Sequence, residues 1–257
     1  MNIENSIKEG YKFKFSQYFS EGFEIFKKDM GSFVGYGLVV MIINLLSKFL
    51  PLIGYVIGLL LTPLYAGFYV VANKITNGES YEFQSFFEGF NRALEMILAS
   101  IFKIIISLFF IIPYLIIIFY SFSSKINFNS NFDNFEGIFS FVILIIPMLI
   151  FGFVIFVLLL PFLIWTDLII LFSDKYKAWD SLVLSFKLTL KNYFPILIFA
   201  TILLLLNIFG AVLFGFGLLF TIPFTYCVFY AAFRDIANLS NDNQSNIDEH
   251  LIVDDLV

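Results

Sequence analysis

Long intervals without a charged residue alternate with short segments that carry almost all of the chain's charge. The uncharged intervals are residues 30–47, 49–73, 104–124, 137–166 and 192–233. A membrane-spanning helix needs about 20 apolar residues, so each of the first four intervals predicts one span and the longer fifth predicts two. The pattern therefore predicts an all-α fold, a polytopic membrane helical bundle with six transmembrane helices.

Proline and glycine predict where two of the hairpins turn. Residues 47–51 are expected to form the first turn, because Pro51 is tolerated in the first turn of a helix and disfavoured in its interior. The fifth interval is expected to turn near Gly210, which interrupts an otherwise bulky apolar run.

Three charged segments, residues 14–28, 82–93 and 177–190, precede the first, third and fifth spans. In each of them, aromatic and aliphatic residues recur at helical spacing, with Lys, Glu, Ser or Asn on the opposite face. A helix of this kind is too polar to cross a membrane and lies in its interface instead. We therefore expect three amphipathic helices on the membrane surface, each leading into a two-span hairpin.

The spans themselves repeat. The stretch from Gly58 to Pro63 resembles the stretch from Gly217 to Pro223, and a weaker third copy leads to Pro161. Proline inside a helix kinks it, so the three prolines predict kinks at matching depths of spans two, four and six. The sequence thus predicts one transmembrane domain over residues 1–236. Its three repeats, an interfacial amphipathic helix plus a two-span hairpin, cover approximately residues 13–73, 80–172 and 174–236.

The basic residues set the expected orientation. With both termini in the cytoplasm, every Lys and Arg except Lys48 and Lys125 lies on the cytoplasmic side, as the positive-inside rule favours. The net charge of -5 has its origin in residues 237–257, which hold five acidic residues and no basic one. This segment predicts a polar, acidic and mobile C-terminal tail.

Composition supports the membrane interpretation and excludes several kinds of chemistry. Hydrophobic residues make up 60% of the 257-residue chain and charged residues only 14%, whereas soluble domains are about a quarter charged. The single histidine, His250, and the single cysteine, Cys227, allow neither an intrachain disulfide nor a Cys/His zinc site. No catalytic residue, metal site or cofactor is predicted, and no basic stripe indicates a nucleic-acid partner.

Four polar residues at membrane depth are candidates for ligand binding: Asn44, Lys103, Asp167 and Asn207. Polar groups are costly in the bilayer, so each requires a partner. The two asparagines could instead bond between helices or form turns, and Lys103 could extend its amine to the cytoplasmic surface. Asp167 either pairs with Lys103 or lies among lipid headgroups beside Trp165.

One group of known proteins has similar motifs. The stretches carrying the similarity are Leu160–Leu168, Lys177–Lys187, Leu206–Gly210, Gly217–Pro223 and Phe229–Arg234. They resemble a large group of bacterial six-span membrane proteins that includes the membrane domain of glycerophosphodiester phosphodiesterases and related membrane families. The resemblance implies the fold and a location in the bacterial inner membrane. It carries no catalytic residue to this chain.

Three functions follow as hypotheses. The first is an integral membrane protein without catalytic chemistry, an accessory, assembly or lipid-interacting bundle whose partners are the lipid bilayer and a membrane protein or specific lipid. The second is a small transporter of an apolar or amphipathic solute, which parallel repeats with matching prolines would suit. The third is a membrane enzyme acting on lipid headgroups, for which Asp167 and Lys103 are the one available pair.

Overall fold

The computed structural model describes residues 3–125, 135–212 and 215–239, and every regular element within these ranges is a helix. The chain divides into two compact units. Unit 1 contains the residues up to Ser100 and those from Pro161 onward, and unit 2 contains Ile101–Leu160. The acidic tail predicted at residues 237–257 lies outside the described residues from residue 240 onward.

From residue 3 to residue 125, the first described range, the chain forms five α-helices and one long 3-10 helix. They are α1 (Ile3–Glu9), α2 (Phe15–Lys28), α3 (Met30–Phe49), α4 (Pro51–Asn77), the 3-10 helix Phe83–Arg92 and α5 (Ala93–Lys125). The second half contains α6 (Phe135–Leu159), a short 3-10 turn (Leu160–Phe162), α7 (Thr166–Phe172), α8 (Ala178–Lys191), α9 (Tyr193–Val212) and α10 (Leu218–Ile236).

Local sequence explains several helix ends. The Asp29 side chain accepts a hydrogen bond from the backbone N–H of Ser32 and so caps the start of α3. Pro51 begins α4 directly after α3 ends, which confirms the predicted first turn. Gly78 adopts a left-handed conformation with φ of 71° and ends α4.

Within the described residues, five helical stretches are long and apolar enough to cross a membrane: Met30–Phe49, Val56–Asn77, Phe83–Pro113, Leu149–Phe172 and Tyr193–Val212. The all-helical fold with several membrane-length apolar helices is thus confirmed. The sixth predicted span corresponds to α10, which is not one of the five and carries Arg234 and Asp235 near its end. Six spans therefore stay a prediction.

The structure corrects two predicted boundaries and the type of one predicted helix. Helix α9 continues past Gly210 to Val212 and α10 begins at Leu218, so the break between the two helices comes a few residues after the predicted position near Gly210. A Cβ atom on Gly210 would lie 2.6 Å from Thr221 Oγ1, so this glycine allows close packing rather than a turn. The predicted amphipathic segment 82–93 forms a 3-10 helix rather than an α-helix. The helix of the fourth predicted span ends at Leu159, where Pro161 enters a 3-10 turn.

Helix α10 lies at the centre of unit 1. It packs against α2, α3, α4 and α9. Its residues Cys227, Val228, Tyr230 and Ala231 are completely buried. A helix that is buried on most of its faces is typical of a protein core, so α10 forms the middle of the unit.

Two amphipathic helices cross long helices at a glycine. A Cβ atom on Gly22 of α2 would lie 2.5 to 2.8 Å from side-chain and backbone atoms of Val228 in α10. A Cβ atom on Gly89 of the 83–92 helix would collide with the backbone carbonyl of Pro63 in α4. Only glycine allows these backbones to approach so closely.

The third amphipathic helix, α8, makes a comparable contact with hydroxyl groups. Ser185 Oγ donates to the backbone carbonyl of Phe162 at 2.8 Å, and Thr189 Oγ1 donates to the carbonyl of Pro161 at 2.8 Å. Both hydroxyl-bearing residues are completely buried. These two hydrogen bonds connect α8 to the 3-10 turn that precedes α7.

Unit 2 consists of most of α5 and of α6. Large apolar side chains of these helices are exposed, among them Phe109, Phe119 and Leu149. Pro113 lies within α5 and Pro147 within α6. An apolar surface of this extent suits contact with lipid rather than with water.

Candidate functional site

A groove with a volume of about 300 Å³ opens between α3, α4 and α10. It lies entirely within unit 1. Its apolar lining comes from Gly37, Val40, Met41 and Leu45 of α3, Phe68 of α4, and Leu218, Leu219 and Ile222 of α10. The volume is at the lower end of the range of about 300–1,000 Å³ that small-molecule sites occupy. The groove therefore accommodates one slender apolar ligand or part of a larger one.

Helices α3 and α10 approach each other closely at the Gly37 end of the groove. A Cβ atom on Gly37 would lie 3.4 Å from Pro223 and 3.5 Å from the carbonyl oxygen of Leu219. Pro223 has no N–H, so it cannot donate to the Leu219 carbonyl four residues earlier. The closed end of the groove is thus formed by a glycine on one helix and a proline on the other.

Three polar residues line the other part of the groove: Asn44, Lys48 and Tyr65. Asn44 Nδ2 donates to the Tyr65 hydroxyl oxygen at 3.4 Å, which is long for a hydrogen bond. Asn44 and Lys48 are four residues apart and therefore lie on one face of α3, with Gly37 and Met41 on the same face below them. The groove wall changes along α3 from charged, through amide, to apolar.

Asn207, the second predicted asparagine, lies at the contact of α9 with α10. Its Nδ2 donates to Thr225 Oγ1 at 2.7 Å and to the Leu203 carbonyl at 2.8 Å. Its Oδ1 and the neighbouring Thr221 hydroxyl are buried and have no hydrogen-bond partner among the described residues. The structure thus gives Asn207 the interhelical contact that its alternative interpretation predicted.

Lys103 and Asp167 lie in different units. Lys103 is in α5 within unit 2, whereas Asp167 is in the first turn of α7 within unit 1. Their pairing stays a prediction. Trp165, expected beside Asp167 at the membrane surface, is instead completely buried and stacks on Phe233 with ring centroids 6.1 Å apart.

The three predicted kink positions fall in two kinds of element. Pro63 lies inside α4 and Pro223 inside α10. Pro161 lies in the 3-10 turn that follows α6, so it marks a break between helices. Pro63 and Pro223 both border close helix contacts, through the Pro63 carbonyl at Gly89 and the Pro223 ring at Gly37.

Ion pairs collect at the helix ends that the sequence assigns to the cytoplasm. Among the described residues these pairs are Lys14–Asp235, Lys74–Glu88, Arg92–Asp174, Lys175–Glu4 and Arg234–Glu21. All are within unit 1, and most are partly exposed, so each contributes little to stability by itself. These pairs therefore form a charged end of unit 1 that is distinct from the groove. Lys48 is the one charged residue among those that line the groove.

Several groups at this charged end have shifted pKa values, and Tyr81 and Glu4 are two examples. Partial burial, together with a 2.9 Å hydrogen bond to the Asp29 carboxylate, raises the pKa of Tyr81 to about 12. Hydrogen bonds from Lys175 and Tyr176 lower the pKa of Glu4. Both shifts reflect local contacts between charged surface segments, and neither group borders the groove.

No cluster of three or more His, Cys, Asp or Glu side chains that could hold a metal occurs in the described part of the chain. Sequence reasoning singled out Asn44 but missed Tyr65 and Lys48 as its neighbours in the groove. A signal for Lys48 was present, since it is the one charged residue between Asp29 and Lys74. No pattern in the sequence indicated that Tyr65 would line a groove together with residues of α10.

No family model, curated protein or solved structure matches the chain.

Proposed function

We propose that the protein is an integral membrane protein that binds membrane lipid in the groove of unit 1 and carries out no catalysis. The observation that supports this proposal is the apolar groove between α3, α4 and α10, since α3 and most of α4 are long and apolar enough to cross a membrane. A groove on the side of such a bundle is open to the acyl chains of the bilayer. A water-soluble ligand would find few polar partners there.

The energetics of lipid binding explain why the polar residues of the groove matter. An acyl chain that leaves the bilayer for an apolar groove gains little hydrophobic free energy, because lipid tails are as apolar as leucine. Affinity must then come from close packing and from polar contacts with the headgroup region. Asn44, Lys48 and Tyr65 supply such contacts at one end of the groove.

The repeated architecture is part of the same proposal. One small residue of each amphipathic helix, Gly22, Gly89 or Ser185, stands directly before a phenylalanine. Each of these small residues also contacts an element that contains a proline: α10, α4 and the 160–162 turn, respectively. Lys74 and Arg234 each follow Pro63 or Pro223 by eleven residues, and each pairs with the glutamate that precedes Gly89 or Gly22. These correspondences support three repeats, in which the second and third amphipathic helices pack on the helix or turn that ends the preceding repeat and α2 packs on α10 of the last repeat.

The membrane-surface position of the amphipathic helices belongs to this proposal too. The phenylalanines that follow the three small residues, Phe23, Phe90 and Phe186, are between 37% and 47% exposed. Exposed aromatic side chains beside a row of charges suit the interface between headgroups and acyl chains. The resemblance of residues 160–234 to bacterial six-span proteins supports a location in the bacterial inner membrane, and the distribution of Lys and Arg favours both termini in the cytoplasm.

The other two hypotheses have less support. The centre of unit 1 is filled by the buried side chains of α10, so a solute pathway finds no support there. An enzyme acting on headgroups needs an acid and a base together, and the groove lining offers Lys48 without a carboxylate. Both hypotheses stay predictions, and lipid binding is the function that the groove favours.

The experiment is to purify the protein from membranes in a mild detergent and to measure co-purifying phospholipid by mass spectrometry. Leu45→Trp should lower the retained lipid severalfold, because the indole ring fills the groove. Leu46→Trp is the matched control, since Leu46 is equally exposed on α3 but does not line the groove. Wild-type protein without lipid, or equal retention by both variants, would contradict the proposal.

A further inference from the structure

We infer that the ligand of the groove is an anionic glycerophospholipid, with its phosphate at Lys48 and one acyl chain along α3 toward Gly37. This inference rests on the proposed lipid binding and names the class of lipid. It depends on the order of chemical groups along the groove. From the rim inward these are an ammonium, an amide with a phenol, and an apolar wall.

The charge of Lys48 has no counterpart in the helices that form the groove. Residues 30–73 contain no other charged residue, and residues 218–233 contain none at all. Lys48 is exposed and makes no ion pair with any side chain in the described ranges. A cation at the rim of a membrane groove, without a carboxylate nearby, attracts the anion that the bilayer supplies, which is a headgroup phosphate.

Asn44 and Tyr65 lie where the ester groups of such a lipid would be. One helical turn separates Asn44 from Lys48, which is about 6 Å along the helix axis. The Tyr65 hydroxyl accepts the long bond from Asn44, and its own hydrogen has no acceptor among the described residues. That hydrogen and the second hydrogen of the Asn44 amide are available for ester carbonyl oxygens, which accept and do not donate.

The dimensions of the groove favour one acyl chain over two. Its volume of about 300 Å³ is small, and it narrows where Gly37 meets Pro223 and the Leu219 carbonyl. The second chain of a phospholipid would remain in the bilayer, to which the groove is open. Selectivity between lipids then depends on the headgroup, because an acyl chain has apolar surroundings both in the groove and in the bilayer.

A zwitterionic lipid suits Lys48 less well than an anionic one. In phosphatidylcholine the quaternary amine partly compensates the phosphate, whereas phosphatidylglycerol presents the phosphate with a neutral glycerol. One lysine close to an anionic membrane surface contributes about 1 kcal/mol, which corresponds to about a fivefold preference. A preference of this size is measurable by competition between the two lipids.

The test uses the full-length protein in nanodiscs that contain equal amounts of dioleoyl-phosphatidylglycerol and dioleoyl-phosphatidylcholine, followed by native mass spectrometry of the released complexes. We expect the wild type to retain phosphatidylglycerol about fivefold more than phosphatidylcholine. Lys48→Gln should abolish this preference, and Lys48→Arg should keep it. Lys187→Gln removes a similarly exposed charge on α8 and should change nothing. Leu45→Trp should lower retention of both lipids.

The outcomes separate the inference from the proposed function. Equal retention of both lipids by the wild type, with loss of both in Leu45→Trp, would overturn the anionic assignment and leave lipid binding intact. A preference that persists in Lys48→Gln would place the anionic site elsewhere and also overturn the inference. Retention of neither lipid by the wild type would overturn both. Unchanged melting temperatures of the Lys48 variants show that altered retention does not result from unfolding.

Discussion

The crossing of α2 on α10 and the contact of α8 with the 160–162 turn perform the same structural task with different chemistry. Gly22 meets Val228 without any side chain of its own, and Glu21 forms an ion pair with Arg234 beside the crossing. At α8, Ser185 and Thr189 bind backbone carbonyls directly. A crossing that relies on backbone approach tolerates no added atom, whereas one that relies on hydroxyls depends on individual hydrogen bonds.

The difference follows from what each long segment offers at the contact. Helix α10 is continuous past Val228, so its carbonyls bond within the helix and present a smooth surface. The 160–162 turn interrupts the helical pattern, and its carbonyls remain available to side chains of another helix. The crossing of the 83–92 helix on α4 is of the first kind, with Gly89 at the Pro63 carbonyl and Glu88 paired with Lys74.

The largest expected effect is that of Gly22→Ala. The added methyl group would lie within 2.8 Å of the backbone nitrogen and Cα of Val228, and backbone atoms cannot move aside as a flexible side chain can. Overpacking of this kind costs about 1–3 kcal/mol, so the melting temperature in detergent should fall by several degrees. The measurement is thermal unfolding followed by circular dichroism.

A matched glycine provides the control. A methyl group added to Gly58 in α4 would meet no heavy atom within 4 Å, so Gly58→Ala should be neutral or stabilising through its better helix propensity. If Gly22→Ala proves as stable as Gly58→Ala, α2 does not cross α10 closely, and the two kinds of crossing would not differ as described.

How far the sequence predicts these features depends on whether their cause is local. The amphipathic helices at 14–28 and 177–190 are found within about a residue of their predicted bounds, because periodicity and charge are properties of the segment itself. The 3-10 form of 83–92 is not visible in that pattern. Gly22 and Gly210 look like helix-weakening residues in the sequence, and their role appears only with the partner helix in place.

The candidate site shows the same limit. Asn44 stands out in the sequence because an amide in a long apolar interval requires a partner. The groove itself needs α10, which follows α3 by more than 160 residues, and no local pattern indicates that these helices become neighbours. The repeat suggests similar hairpins but gives no rule for which helices lie side by side.

An intermediate effect is expected for Thr189→Val. Valine has nearly the same shape as threonine, so the substitution removes the hydroxyl and leaves the buried carbonyl of Pro161 without its donor. The loss should be about 1–2 kcal/mol, since a buried acceptor loses its partner without gaining water. The exposed Lys187→Ala on the same helix serves as the control and should leave the melting temperature unchanged. Equal stability of Thr189→Val and wild type would show that hydroxyl bonds do not secure α8.

The smallest effect is expected from the ion pairs that accompany the glycine crossings. Arg234 and Glu21 are joined at 2.8 Å and each is about a quarter exposed, whereas in the Arg92–Asp174 pair the carboxylate is almost fully exposed. Solvent screens the second pair more strongly, so a double-mutant cycle should give a coupling free energy of about 1 kcal/mol or less for Glu21→Gln with Arg234→Gln. The same cycle for Asp174→Asn with Arg92→Gln should give a smaller coupling free energy.

Raising the salt concentration should weaken the Arg92–Asp174 coupling more than the Arg234–Glu21 coupling, because partly buried charges are less screened. A coupling at Arg234–Glu21 no larger than at Arg92–Asp174 would mean that the glycine alone stabilises the crossing, and that the paired charges beside it set orientation rather than stability.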